Sequence, residues 1–531
     1  MKKINFKIKQ LSPLFPILSG FRSSTVFFLF LGIIGMVSCN KDITETTDLW
    51  SELAPTKFDD GAGSWKTILL ANADEVKIPT PDAISTPQYQ AELAEVKTLS
   101  ANLTTAQKAA IKYWSAGSAL RWNEIMRALV AKHNLAPGNN PDGTYPIPDQ
   151  SNPFSYPEFP FANPPYAARA YAYVTVGQYD ALVSAYKLKK QYNRPAPYKT
   201  DATITPSVSK SDLAAYPNED AVLSGVSFEL LKFLFPTEID FLTQKANEAR
   251  QYKMWAGAAT KSDIASGDSL GRAVAAKVLA RAKTDGMKNA IGTQAKWDSL
   301  AQNRIAIGEM PWKSMESPIR PPMLPFYGSV KRWLVTDLAA IRPVAPPKTN
   351  STEIRQQLDE VLSFTKNPTR ENVAIVHLWA DGTGTHTPPG HWNALACELI
   401  KKNNQSEVRT VRNLALLNIS MMDAAISCWD TKSFYYYPRP SQLDPSIKTL
   451  TGLPNFPSYT SGHSTFSGAA ATILGYIFPS ESINLEAKAR EASLSRLYGG
   501  IHYRMDCDEG LKCGNSIGRL AIERAKTDGV D

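Results

Sequence analysis

Cysteine and histidine are scarce in this chain, with five and six copies in 531 residues. No two cysteines stand as a CxxC pair, which argues against a cysteine-built zinc site. Strand-like apolar–polar alternation is also scarce, which argues against a β-sheet fold. The formal charge of +8 is concentrated at one end: residues 1–38 carry Lys2, Lys3, Lys7, Lys9 and Arg22 and no acid, so the rest of the chain holds +3. Without basic patches interleaved with aromatics, that balance gives no basis for a nucleic-acid partner. What is present is 43% hydrophobic residues against 20% charged, the composition of a globular protein with a large core.

The basic start precedes "TVFFLFLGIIGMVSC" (25–39), an apolar run too short to span a bilayer comfortably, closing on small residues. It resembles a bacterial lipoprotein signal, with Met36 where leucine is usual. The resemblance implies cleavage before Cys39, lipid on its sulfur and attachment to an envelope membrane. An ordinary secretory signal is the alternative, and both export the protein. Export puts Cys397, Cys428, Cys507 and Cys513 where disulfides persist. Cys507 and Cys513 are spaced to close a short loop, and buried free thiols are the other reading.

Residues 39–65 are polar and irregular and read as a tether. Helical spacing follows in "TTAQKAAIKYWSAGSALRWNEIMRALVAKHN" (104–134), with Thr104 or Thr105 as its cap. A proline-rich stretch, Pro137 to Pro165, interrupts it. The pattern resumes in "AARAYAYVTVGQYDALVSAYKLKKQ" and in three segments between about residues 217 and 285. "IRPVAPPKTN" (341–350) reads as a connection between halves. The second half opens with "STEIRQQLDEVLSF" and continues in helices near 371–380, 391–403, 406–430, 464–478, 484–498 and 509–527. The expected organisation is a signal over 1–38, a tether over 39–65, an N-terminal helical domain over 66–345 and a C-terminal domain over 346–531. The fold class is all-α, two packed helical bundles. No short-period repeat appears, and duplicated bundle halves stay open.

Three pieces of the second half carry chemistry. "KSFYYYPRP" separates Lys432 from Arg439 by six residues, with Pro440 following. "SGH" is Ser461, Gly462 and His463. "SRLYGGIHYRMD" spaces Ser495–Arg496, His502 and Asp506. A core does not tolerate three unpaired cations, so Lys432, Arg439 and Arg496 should surround an anion. Guanidinium forks match tetrahedral oxyanions, and the Ser461 hydroxyl with the Gly462 N–H can complete the cradle at a helix start. On a helical turn His502 and Asp506 share a face, so the carboxylate would hold one ring nitrogen protonated and aim the other at the anion. His463 comes from another loop as acid or base. Elsewhere in the second half His377, His386 and His391 read as satisfied core groups, and Tyr435–Tyr437 as packing.

Together these residues resemble the signature shared by vanadium-dependent haloperoxidases and type 2 phosphatidic acid phosphatases, including bacterial class A acid phosphatases. The resemblance implies an active site in the C-terminal bundle, with Lys432, Arg439, Ser461, Gly462 and Arg496 binding the oxyanion. It implies that His502 is the vanadium ligand or the phosphorylated nucleophile, His463 the acid–base group, and Asp506 the residue that orients His502. "HLWADGTGTHTPPGHWN" (377–393) resembles a segment of the longer haloperoxidase-like proteins, which implies an Asp381–Arg496 pair. Trp429 and Phe456 resemble aromatics lining a chloroperoxidase pocket. The leading expectation is therefore a vanadate-dependent enzyme oxidising halide with hydrogen peroxide to hypohalous acid. A phosphomonoesterase acting through phosphohistidine, with no cofactor, is the alternative. A non-catalytic envelope binding protein is the third.

Overall fold

A side-chain oxygen starts most of the long helices. Thr104, Asn163, Asn218, Ser406 and Ser461 each accept a backbone N–H from the first turn that follows. The computed structural model describes residues 50–135, 138–145 and 162–530, and among them no strand is present. The signal segment, Cys39, the first part of the tether and most of the 137–165 stretch lie outside the described residues.

The N-terminal helices are α1 (Pro87–Ala101), α2 (Thr105–Trp114), α3 (Ser118–His133), α4 (Pro164–Tyr192), α5 (Glu219–Leu234), α6 (Ile239–Trp255), α7 (Lys261–Lys283) and α8 (Gln294–Ala306). The C-terminal helices are α9 (Thr352–Lys366), α10 (Arg370–Leu378), α11 (Thr387–Lys402), α12 (Glu407–Tyr435), α13 (Gly462–Ile477), α14 (Ser482–Tyr498) and α15 (Arg504–Ala525). The stretch expected as one helix over 104–134 is two, because Gly117 takes φ +120° and turns the chain between α2 and α3. Residues 50–65 of the expected tether are mostly irregular and pack on both halves: the Leu53 N–H donates to the Ser115 carbonyl, and Asp59 is buried and bound by Arg409 and Ser406. The proline-rich connection is strapped down by three tyrosines. The hydroxyls of Tyr435, Tyr459 and Tyr437 donate to the carbonyls of Pro343, Val344 and Pro347. All four cysteines named above are buried free thiols, so no bridge joins Cys507 to Cys513. No helix among the described residues is long and apolar enough to cross a membrane.

Two helical bundles pack along α4 and α12, and one apolar core runs through both. The bundles are copies in register. α4 and α12 are 29 residues each, and their first residues, Pro164 and Glu407, lie 243 apart (407 − 164). The same offset takes the left-handed C-cap Asn193 to Tyr436, α5 to α13 at 16 residues each, and α6 to α14 at 17 residues each. It also takes the ion pair Arg169–Asp285 to Arg412–Asp528, both 2.7 Å. Asp180 in α4 accepts the backbone N–H groups of Ile68, Leu69 and Leu70; Asp423 in α12 does the same for Trp333, Leu334 and Val335. Burial pushes both carboxyls up to about 6 while those donors hold them back. Close packing repeats as well: a Cβ on Gly271 would lie 2.2 Å from the Val222 carbonyl, and one on Gly514 would lie 2.2 Å from that of Thr465.

Candidate active site

The last two turns of α12 present Trp429 and Lys432, three residues apart and so on one face, both buried. Tyr436 then takes a left-handed conformation and ends the helix. Arg439 caps a single turn begun by Pro440, which suits that position because proline has no N–H to leave unpaired. Ser461 caps α13, placing Gly462 and His463 in its first turn. Arg496 lies in the last turn of α14, and the chain returns through Gly500 at φ +73° to His502. His502 stands before α15, whose cap is Tyr503, so the expected shared helical face is a bridge across the helix start.

The structure brings Lys432, Arg439, Arg496, His463, His502 and Asp506 to one place. His502 Nδ1 lies 2.8 Å from Asp506 Oδ2, and its Nε2 lies 3.0 Å from Arg439 Nη1. A guanidinium only donates, so Nε2 carries the lone pair and Nδ1 the proton. Burial, then the charges of Arg439, Lys432 and Arg496, hold the imidazole well below its ordinary pKa, so it is neutral. Asp506 also accepts from the Ser458 hydroxyl and the Tyr503 N–H, and burial pushes its carboxyl up to about 6. Lys432 Nζ donates to the carbonyls of Pro457 (2.7 Å) and Ser458 (2.9 Å) and to that of Thr460. Burial lowers this ammonium to about 7 and each of the two guanidiniums to about 10. Arg439 Nη2 is buried without a partner.

Of these groups His463, Arg496 and His502 line a cavity of about 500 Å³, together with Gly462, Trp429 and Phe456. The Trp429 and Phe456 rings are 5.0 Å apart, and the indole N–H is spent on the Met323 carbonyl, leaving an apolar wall. A Cβ on Gly462 would come no closer than 3.8 Å to the protein, against Trp429 and Phe466 of the cavity lining. The space a side chain would take there belongs to the cavity.

Asp381 departs from expectation. Its carboxylate accepts from His391 Nδ1 at 3.1 Å and faces His463 Nε2 at 3.6 Å, whereas Arg496 bonds Ser495 Oγ and the Val376 carbonyl. Arg496 still feels Asp381 as a charge, but the left-handed backbone at Asp381 (φ 42°) is accompanied by a carboxylate turned toward the two imidazoles. Asn134 from the N-terminal half holds that loop, donating to the carbonyls of Gly382 (2.9 Å) and Thr385 (3.1 Å). His463 is lowered to about 4, by burial and then by Arg496, against the pull of Asp381. His391 stacks on Trp379 at 4.3 Å. Of the histidines expected in the core, His377 is exposed instead, near the C-terminus of α10.

Sequence reasoning missed Ser458, Asn134 and the part His391 plays. Ser458 sits inside the "FPSYTSGH" stretch but has no distinctive spacing, and Asn134 lies more than 240 residues from the loop it holds.

Residues 413–527 match the family model described as the PAP2 superfamily, so the C-terminal bundle carries a domain of that superfamily. A crystal structure of a bacterial vanadium-dependent iodoperoxidase matches with a TM-score of 0.57 at 20% identity, over 77% of this chain and 95% of that one. A holo-type bacterial vanadium-dependent chloroperoxidase matches with a TM-score of 0.51 at 13% identity, over 72% and 97%. The chain therefore shares their all-helical fold. No curated protein sequence matches it significantly.

Proposed function

We propose that this chain is a vanadate-dependent haloperoxidase that oxidises halide with hydrogen peroxide. One observation carries the reading: three buried cations, Lys432, Arg439 and Arg496, converge beside two carboxylates, Asp506 and Asp381, with Arg439 Nη2 left unbonded. That excess of positive charge and that orphaned donor fit a tetrahedral oxyanion. Lys432, Arg439, Arg496, Ser461 and the Gly462 N–H would hold vanadate, with His502 Nε2 as its ligand. When bound, the metal supplies Lewis acidity toward peroxide without changing oxidation state.

The chain's own residues do the rest. Asp506 keeps His502 Nδ1 protonated, so the Nε2 lone pair stays directed at the cradle. Arg439 Nη1 now donates to that lone pair and must swing toward the anion as it binds. Halide oxidation takes up one proton, and His463 Nε2, unbonded on the cavity wall, is placed to relay it. Trp429 and Phe456 give the halide an apolar side on which it sheds water. The similarity to the iodoperoxidase, which extends over most of that chain, also supports this reading. The enzyme would work outside the cytoplasm, tethered by lipid on Cys39, and mass analysis of the mature N-terminus tests that.

Protein reconstituted with vanadate should halogenate a phenolic dye, and His502→Ala should abolish it. No turnover with chloride, bromide or iodide removes the proposal. The superfamily match favours one rival, a phosphomonoesterase in which the same lone pair attacks phosphorus and vanadate inhibits. Phosphate release from a chromogenic ester, blocked by vanadate, would decide for it.

A further inference from the structure

The matched bundles imply matched sites, and the N-terminal one is not empty. Offset by 243 residues, Lys189 stands for Lys432, Lys253 for Arg496 and Asp263 for Asp506. The local geometry agrees. Lys189 Nζ donates to the carbonyl of Ala214, as Lys432 does to that of Pro457, the residue at the same offset. Asp263 and Asp506 are both buried partners in the capping box of their helices. A second cavity, of about 280 Å³, lies over this region. Tyr186 and Leu213 line it where Trp429 and Phe456 line the first.

The difference lies at the start of the helix. Where α13 begins Gly462–His463, α5 begins Glu219–Asp220. The Glu219 carboxylate reaches Lys189 at 2.7 Å, whereas the hydrogen bonds of Lys432 go only to carbonyls. Burial would raise the Glu219 carboxyl, but Lys189 and then Lys253 overcome this and hold it below its ordinary value. Asp220 sits where His463 sits and lies 3.5 Å from Lys253. His502 is matched by Ala259 and Arg439 by Ala196, so no nucleophile or second guanidinium faces this cavity from those positions.

We infer that the N-terminal bundle holds a second anion cradle whose resident ligand is the chain's own Glu219 carboxylate. The inference rests on reading Lys432, Arg496 and Gly462 as an oxyanion cradle. The wild-type N-terminal bundle is thereby closed to free anions, and only the C-terminal bundle accepts one. A small monovalent carboxylate is what the vacated site would take, because Asp220 opposes a dianion such as phosphate.

Glu219→Gly removes the resident ligand without touching the proposed catalytic groups. In about 100 mM acetate, against chloride at equal ionic strength, the variant should melt roughly 2–4 °C higher. The wild type should respond less, since its second cradle is already filled. A folded variant with no acetate response beyond the wild type's overturns the inference. If the variant folds only in acetate, the inference stands. If it folds in neither salt, Lys189→Met decides. That variant takes the nearest cation from a partly buried carboxylate, so Lys189→Met/Glu219→Gln should melt higher than Lys189→Met alone, and an equal or lower melting point overturns the pairing. Phosphate or vanadate failing to stabilise the wild type would instead sink the catalytic reading.

Discussion

Asp381 stands between two histidines, His391 Nδ1 at 3.1 Å on one side and His463 Nε2 at 3.6 Å on the other. The carboxylate is held well below its ordinary range against the cost of burial, first by the bond from His391 and then by His463. Breaking the His391 bond leaves Asp381 more basic and freer to hold a proton on His463. His391→Phe keeps a ring for Trp379 to stack on but loses the donor. We expect the acidic limb of the pH–rate profile to move upward and kcat to fall roughly tenfold, with KM for halide little changed. An unmoved profile would make His391 a packing residue only.

Asp506→Asn should leave the fold intact, because the amide oxygen can still accept from Ser458 or Tyr503. It would no longer fix the tautomer of His502. Vanadate affinity should fall by about 10- to 100-fold, read by titrating apoenzyme activity or by equilibrium dialysis.

Lys432 makes anion binding depend on pH. Burial lowers the ammonium to about 7, so above that pH the ligand-free protein holds the amine neutral. An anion favours the charged form, so binding above pH 7 must draw in a proton. Phosphate affinity should therefore weaken as pH climbs from 7 toward 9, by up to tenfold per unit, with proton uptake visible by calorimetry in buffers of different ionisation heat. Lys432→Met should bind weakly and without this slope.

Asp285 and Asp528 make the same bond in the two bundles, each to a buried arginine at 2.7 Å. Removing either carboxylate leaves a guanidinium buried and unpaired. Asp285→Ala and Asp528→Ala should each cost about 3–5 kcal/mol in denaturant unfolding. A loss under about 1 kcal/mol in one of them would show that its bundle relaxes and hydrates the arginine.

The cradle could be read from the sequence because its spacings are local. Three residues on a helix place Trp429 beside Lys432, and four across a helix start join His502 to Asp506. The helices declared themselves by apolar period and by a cap such as Thr104. Contacts made across hundreds of residues left no such trace. Nothing near Asn134 announces that its amide holds the 382–385 loop, and the left-handed turn at Asp381 that faces His391 falls on an aspartate rather than a glycine. The matched halves were hidden for another reason. Their shared residues are spread over caps, bends and buried charges, such as Asp180 with Asp423 and Pro236 with Pro479. The core between them asks only for apolar volume, which many residues supply.

Gly514 brings the main chain of α15 against that of α13 with no side chain between them. The two helices carry parts of the site near their first turns: Gly462 and His463 on the cavity wall from one, and from the other Asp506, which holds His502. Their separation is therefore gauged by backbone atoms, which mutation cannot trim. Drift in the surrounding hydrophobic residues can loosen the bundle or tighten it elsewhere, yet the spacing of these two helices should survive until Gly514 or its companions in the same seam, Gly468, Gly510 and Gly518, are lost.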